Sequence, residues 1–246
     1  MNAEPLQAGA PPQREVGRGL LWFAFLLLLA GMMQRADPWP QSRAEPPRGA
    51  GVVALARPTA AQLGRFGPVW YYTYGFLGPT PPGHQRVYLA PVDYDEQALA
   101  RVLAAHPGSW WMVGNEPNDP HQDHLSPGAY AAFYHRFNEL AARVDPLYRV
   151  MPAGIANADW GWAHDFRESY RYQYGRYPRV DAWNIHNYIL DPGYTPWSLD
   201  EFQRRILVFR DWMTRVGEGH KPLVLSEFGV LQRSLPDGTP VPSERV

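Results

Sequence analysis

The sequence contains no cysteine in its 246 residues, which excludes disulfide bonds and thiolate chemistry. It also lacks an excess of charge of either sign. Lys and Arg number 23, Asp and Glu number 24, and no basic stripe stands out, so no nucleic-acid partner is predicted. Hydrophobic residues make up 45% of the chain, which is enough to build a substantial core.

Motifs that define several other enzyme classes are missing. The sequence has no G-x-G-x-x-G, no P-loop and no G-x-S-x-G. The run HQDHL offers His121, Asp123 and His124, a spacing that suits a metal, but it lies in a proline-bounded loop without a third distant ligand. The sequence therefore predicts neither a metal nor a cofactor.

An apolar run, GLLWFAFLLLLAGMM, occupies residues 19–33 and follows Arg14 and Arg18. It is shorter than the ~18–20 residues of a usual spanning helix, and a basic flank before a short apolar core is typical of a secretory signal. The cleavage site is poor, so an N-terminal membrane anchor stays open as the alternative for residues 1–35. Either alternative places the rest of the chain outside the cytoplasm.

Residues 36–50 are rich in proline and are predicted to be a linker. Beyond them, apolar runs alternate with amphipathic ones. The predicted strands are 51–56, 68–75, 86–92, 110–117, 148–156, 180–188 and 223–230. The main predicted helices are 95–105, 126–144, 162–174 and 199–216.

Seven strands alternating with helices indicate an α/β fold with a parallel sheet. Polar residues at the ends of several strands favour a (β/α)₈ barrel of the TIM type, whose active site lies at the carboxyl ends of the strands. An eighth strand and the last helices are not found before the chain ends. The barrel domain, residues 51–246, is therefore predicted to be C-terminally incomplete.

Two predicted strands end on a glutamate. WWMVGNEPN (110–118) leads to Glu116, and LVLSEFGV (223–230) leads to Glu227. Each glutamate alone fits a salt bridge or an acidic turn equally well. Two buried carboxylates at equivalent strand ends are costly without a purpose, and a carboxyl pair flanking a glycosidic bond is the usual machinery of glycoside hydrolysis.

Five segments together, VWYYTYG, YLAPV, GNEPN, VDAWNIHNY and LVLSEFG, resemble the glycosyl hydrolase catalytic-core family, which includes endo-β-1,3-glucanases of fungi and bacteria. The resemblance covers residues 51–230. It implies a retaining mechanism, in which Glu116 is the general acid/base and Glu227 the nucleophile. It also implies that Asn115 holds the sugar 2-hydroxyl.

His186 and Tyr188 alternate along the sixth predicted strand, so both face the site if either does. The resemblance implies that Tyr188 donates a hydrogen bond to the nucleophile. His186 is a candidate substrate-binding residue, with a histidine of the core as the alternative. The aromatic share of 14% adds candidate platforms for sugar rings, each of which fits the core equally well. These candidates are Trp70, Tyr72, Trp160, Trp162 and Trp197.

Two function classes therefore stay open. The first is an exported glycoside hydrolase that cleaves β-linked, glucan-type polysaccharide, with poly- or oligosaccharide as its binding partner. The second is a non-catalytic carbohydrate-binding or cell-surface protein built on a truncated glycosidase barrel. Two intact acids favour the first class, and the missing strand favours the second.

Overall fold

The computed structural model describes residues 51–54, 57–66, 70–190 and 196–231. The strands in this part of the chain are β1 (Gly51–Val53), β2 (Trp70–Tyr72), β3 (Gln85–Ala90), β4 (Trp110–Val113), β5 (Arg149–Pro152), β6 (Trp183–Leu190) and β7 (Leu223–Leu231). The helices are α1 (Ala60–Gly64), α2 (Glu96–Ala105), α3 (Pro127–Val144), α4 (Trp160–Tyr174) and α5 (Pro196–Arg215), with a short 3₁₀ helix at Ala156–Ala158.

The strands pair in chain order and every pair is parallel. Strands β1 to β5 form one continuous sheet, and β6 pairs with β7. Ile155, just beyond β5, joins the two sheets: its N–H donates to the carbonyl of Asn184 (3.2 Å), and its own carbonyl accepts from the N–H of His186 (3.0 Å). The predicted α/β fold with a parallel sheet is confirmed.

Local capping explains where the helices begin. The Ser126 hydroxyl accepts from the N–H of Ala129, and Pro127 fills the first helical position, as the Ser-Pro pair predicts. Helix α4 begins at Trp160, two residues earlier than predicted, because the Asp159 carboxylate caps it by accepting from the N–H of Trp162 (3.0 Å). The predicted helix starts are thus correct to within a few residues.

One crossover departs from the alternation. Residues 73–84 connect β2 to β3 without a helix, whereas each of the other connections within these seven strands contains one. Parallel neighbours need a crossover of about a dozen residues, which is usually helical. This connection must be supported by other contacts, and it lies at the carboxyl end of β2.

Both faces of the sheet are buried, so the strand pattern separates two apolar clusters. Trp111 and Val113 of β4 face the helices, whereas Trp110 and Met112 face the opposite side. The cluster on that opposite side also contains Trp70, which is only 7% exposed and stacks on Tyr72 with ring centroids 6.5 Å apart. The prediction that Trp70 is a sugar platform is wrong, because its ring is part of this packed interior.

Some predicted features lie outside the described residues. They are the leader and linker (1–50) and the segment after Leu231, in which the sequence predicts no eighth strand. Among the helices that the structure describes, none combines the length and apolar character needed to cross a membrane.

Candidate active site

The chain turns sharply after β4 and so directs Glu116 away from the strand. Gly114 has φ +84° and Glu116 has φ +43°, both in the left-handed region. A non-glycine residue in this region costs on the order of 1–3 kcal/mol, and such residues cluster at functional sites. The Asp123 carboxylate closes the turn by accepting from the N–H of Asn115 (2.6 Å). Burial raises the pKa of Asp123, while this hydrogen bond opposes that rise.

Two asparagines of the GNEPN motif have different partners. The Asn118 amide pairs with the backbone of Ala156, donating to its carbonyl (3.0 Å) and accepting from its N–H (2.9 Å). It thereby joins the loop that carries Glu116 to the loop after β5. Nδ2 of Asn115 donates to Oε1 of Gln122 (3.2 Å), and its buried Oδ1 has no hydrogen-bond partner in the described residues.

His186 lies between the two glutamates and is fully buried. Its Nδ1 is 2.8 Å from Oε1 of Glu116 and 3.5 Å from Oε2 of Glu227. The Nε2 edge of the ring lies against Gly154, where an added Cβ would lie 2.0 Å from Nε2. Only glycine at this position leaves room for the imidazole between the carboxylates.

Glu227 accepts hydrogen bonds from three phenols. Tyr74 donates to Oε1 (2.7 Å), Tyr188 donates to Oε2 (3.1 Å), and Tyr72 makes a short hydrogen bond to Oε1. Burial, followed by the effect of the neighbouring Glu227 carboxylate, raises the pKa of all three tyrosines above the usual range. All three therefore stay protonated at neutral pH and remain donors to Glu227.

Strand register brings these groups together. His186 pairs with Glu227 across β6 and β7, at a register shift that follows Ile185. One ligand atom each from Glu116, His186 and Glu227 lies within 4.8 Å of the others, a grouping that could also hold a metal ion. A hydrogen bond accounts for the contact between His186 and Glu116, and the absence of a metal stays a prediction. Chemically, the arrangement is a pair of neighbouring carboxyl groups with an imidazole beside them, hydrogen-bonded to Glu116 and 3.5 Å from Glu227.

The structure thus brings Glu116, Glu227, His186, Tyr188 and Tyr72 into one site, and Asn115 lies beside it. The Tyr72 hydroxyl donates to Glu227. Because the Tyr72 side chain is fully buried, the prediction that it is a sugar platform is wrong.

The other predicted tryptophan platforms have different surroundings. Trp162 packs against Tyr130 and Phe166, with ring centroids 5.2 and 6.2 Å apart, so it belongs to the edge of the core and does not fit the predicted role of a sugar platform. Trp160 is 42% exposed, and the guanidinium of Arg215 lies over its ring at 5.7 Å. Its role as a sugar platform stays a prediction. Trp197 lies in α5, and its side chain is outside the described part of the chain.

Sequence reasoning missed Tyr74 and Asn118. Tyr74 continues the alternation of Trp70 and Tyr72, so the period of two was a signal that could have found it. The pairing of Asn118 with Ala156 joins residues 38 positions apart, and no local pattern announces it.

Comparison with solved structures shows a similar fold. An endo-β-1,3-glucanase of family GH128, subgroup I, from Amycolatopsis mediterranei in complex with laminaritriose has a TM-score of 0.56 and 23% identity, covering 75% of this chain and 71% of that chain. A curdlan-specific exo-β-1,3-glucanase of subgroup III from Blastomyces gilchristii, in complex with glucose, has a TM-score of 0.52 and 20% identity, covering 66% and 67%. A subgroup II endo-β-1,3-glucanase from Sorangium cellulosum has a TM-score of 0.51 and 19% identity, covering 65% and 66%.

The chain therefore spans about two thirds of the length of these glucanases. A comparison with curated proteins found no match. The model of the family described as glycosyl hydrolase catalytic core matches residues 62–243, a range that includes Glu116 and Glu227. This match covers most of the chain, which therefore belongs to the glycosyl hydrolase catalytic core family.

Proposed function

We propose that this protein is a glycoside hydrolase that cleaves a β-linked, glucan-type polysaccharide by a retaining double displacement. The observation that carries the proposal is the carboxyl pair: an oxygen of Glu116, three residues past the end of β4, and an oxygen of Glu227, in the middle of β7, lie within 4.8 Å of each other. Retaining pairs are ~5–5.5 Å apart, whereas inverting pairs are ~6.5–9.5 Å apart to admit a water. The short separation favours retention.

The environments of the two carboxyl groups support different roles. Glu227 accepts from three phenols, which stabilise its negative charge and fix its direction, as a nucleophile requires. Oε1 of Glu116 instead lies 2.8 Å from Nδ1 of His186, so this carboxyl group is oriented by an imidazole and not by three phenols. Glu116 is therefore assigned as the general acid/base and Glu227 as the nucleophile.

In the first step, an oxygen of Glu227 forms a bond to the anomeric carbon while the glycosidic C–O bond breaks. Glu116 gives its proton to the leaving oxygen, and a covalent glycosyl-enzyme remains. In the second step, Glu116 takes a proton from water, the water oxygen attacks the anomeric carbon, and the bond to Glu227 breaks. Two inversions at one carbon give net retention.

The proposed substrate class is based on the similar solved structures and on the exposed ring of Tyr74. The similar solved structures are β-1,3-glucanases, and one of them was solved with laminaritriose. The Tyr74 ring is 51% exposed next to Glu227, so it can stack on a sugar at the site. We assign a β-1,3-glucan as the substrate, with Tyr74 as the sugar platform, the role that was predicted for Trp70 and Tyr72.

The barrel closure is part of the same proposal. In a flat sheet, β2 and β7 would lie five strand spacings apart, or roughly 24 Å. The direct hydrogen bond from Tyr72 to Glu227 instead supports a sheet that curls until β2 faces β7. A closed (β/α)₈ barrel provides such a curl and places both strand ends at one mouth.

The site of action is proposed from the sequence. The apolar segment 19–33 with its basic flank supports export, either as a secreted protein or with a membrane anchor. An extracytoplasmic location suits a polysaccharide substrate.

A panel of polysaccharides tests the proposed function. We expect reducing ends to be released fastest from a linear β-1,3-glucan, more slowly from a mixed-linkage glucan and least from a β-1,4-glucan. Glu227→Gln keeps the shape of the site and should lower the rate by on the order of 10⁴-fold, the scale seen when a nucleophile is removed. Glucan binding by both proteins without release of reducing ends would instead identify a non-catalytic carbohydrate-binding protein.

A further inference from the structure

Tyr74 stands at the apex of a tight turn directly after β2. The N–H of Gly75 donates to the carbonyl of Thr73 (2.7 Å), which is the hydrogen bond of a γ-turn. The Thr73 hydroxyl also donates to the carbonyl of Gly75 (3.2 Å). The ring of Tyr74 is half exposed and meets only the edge of Tyr72 among the described aromatic side chains, with centroids 6.0 Å apart. Its direction toward Glu227 therefore depends on the turn.

The buried guanidinium of Arg86 donates hydrogen bonds to this turn. Nη2 of Arg86, on β3, donates to the Thr73 hydroxyl (3.1 Å) and to the carbonyls of Gly75 (3.2 Å) and Leu77 (3.1 Å). Nη1 donates to the carbonyl of Gly78 (2.8 Å). These acceptors stand on both sides of Tyr74 and along the connection that has no helix.

The surroundings of Arg86 indicate that the backbone contacts are its purpose. The residue is 6% exposed, and its guanidinium stacks on the ring of Tyr88 at 4.7 Å. In the described residues it has no carboxylate partner, and its acceptors are neutral oxygens. Burial of a cation without a counter-ion is costly. The hydrogen bonds that Arg86 makes in exchange order the connection after β2.

We propose that Arg86 is a positioning residue for the hydrolytic reaction: it fixes the turn that aims the Tyr74 hydroxyl at Oε1 of Glu227. The proposal rests on the proposed function, in which Glu227 is the nucleophile. Displacement of a positioned group by about 1 Å can cost on the order of 10²-fold in rate. Arg86 thus acts on the carboxylate through Tyr74, without touching the substrate.

A double-mutant cycle separates this role from general support of the fold. Arg86→Lys keeps the charge but loses the planar fork that reaches several acceptors at once. We expect it to lower kcat about tenfold and also to raise KM, because the same turn carries the Tyr74 ring that is proposed to stack on the sugar. Tyr74→Phe should cost a similar factor. In the Tyr74→Phe background, Arg86→Lys should lower kcat less than about twofold, because the hydroxyl that it positions is already absent.

Arg179 provides the control. It is 5% exposed, its guanidinium lies 4.2 Å over the Tyr148 ring, and it donates to a backbone carbonyl, that of Tyr148 (2.6 Å). Unlike Arg86, it also has a carboxylate partner, Asp181 (3.2 Å). Arg179→Lys should change kcat by the same factor with Tyr74 or Phe at position 74. Equal effects of Arg86→Lys in both backgrounds would overturn the proposal.

Thr73→Val removes one acceptor of Arg86 and keeps the side-chain volume, so it serves if Arg86→Lys does not fold. We expect kcat to fall about threefold with Tyr74 present and to stay unchanged in Tyr74→Phe. The same loss in both backgrounds would contradict the proposal.

A crystal structure of Arg86→Lys, or of Thr73→Val, gives a readout that does not depend on activity. We expect the distance from the Tyr74 hydroxyl to Oε1 of Glu227 to lengthen beyond hydrogen-bonding range. An unchanged distance overturns the positioning role. Hydrolysis by the wild-type protein together with an additive cycle overturns the positioning role alone, whereas a wild-type protein that hydrolyses no glucan overturns the proposed function.

Discussion

Glu227→Ala abolishes turnover in our account, and added azide or formate restores part of it with inverted product. Removal of the carboxylate leaves no atom to attack the anomeric carbon, but it opens a space beside that carbon. A small anion can enter the space and attack in one displacement, while Glu116 still protonates the leaving oxygen. We expect a loss on the order of 10⁴-fold or more before rescue. Rates on an aryl β-glucoside or aryl β-1,3-oligoglucoside measure it, and NMR of the azide product gives its configuration.

The matched control for this result is Glu139→Ala. Glu139 lies on α3 and forms an exposed ion pair with Arg176 (3.1 Å), away from the carboxyl pair. We expect wild-type turnover from Glu139→Ala and no effect of azide. A rescued Glu227→Ala product with retained configuration would contradict the assignment of Glu227 as nucleophile, since it would mean that a nucleophilic side chain is still present.

Glu116→Ala fails in a different way, because it removes a proton donor and leaves the nucleophile intact. Aryl glycosides with good leaving groups need little protonation, so formation of the glycosyl-enzyme should stay close to the wild-type rate for them. Polysaccharide, whose leaving oxygen must be protonated, should lose on the order of 10²–10⁴-fold. Single-turnover rates across a series of aryl leaving groups measure this difference.

Azide distinguishes the two variants further. In Glu116→Ala, azide attacks the glycosyl-enzyme on Glu227, so the product keeps its configuration. Equal losses by Glu116→Ala on good and poor leaving groups would refute its role as acid. Inverted azide product from this variant would refute the pairing of roles as a whole.

The residues at strand ends could be predicted from the sequence because two simple rules locate them. Parallel strands present their carboxyl ends at one edge, and alternate residues share a face. Glu116, which follows the end of β4, comes from the first rule, and His186 and Tyr188 come from the second. Glu227 was predicted by the first rule as well, but it lies in the middle of β7, which extends to Leu231. The contacts from His186 and Tyr188 to the glutamates are consistent with both rules.

The same alternation does not show how far along the strand, from the packed interior toward the active site, a side chain lies. Trp70 and Tyr72 point to the same side, yet Trp70 lies within the packed interior and Tyr72 reaches Glu227. Tyr74 comes two residues later, past the end of β2, and is the half-exposed member of the series. Which residue meets the substrate depends on where the interior packing ends, and this is set by side chains from other strands.

Contacts between distant segments were also beyond sequence reasoning. The acceptors of Arg86 become a support for Tyr74 only once β2 and β3 have paired with Tyr71 beside Arg86. The two tryptophans at the start of α4 look like exposed loop residues until Asp159 caps the helix and directs Trp162 onto Phe166. Neither event leaves a local pattern.

The anomeric configuration of the first product tests the central claim, a retaining carboxyl pair formed by Glu116 and Glu227, most directly. Proton NMR of a β-1,3-oligoglucoside mixed with enzyme resolves the α and β signals of the new reducing end before they equilibrate. Our account predicts that the β-anomer appears first and that the α-anomer grows later by mutarotation. First appearance of the α-anomer would show a single displacement and would contradict the assignment of Glu227 as nucleophile.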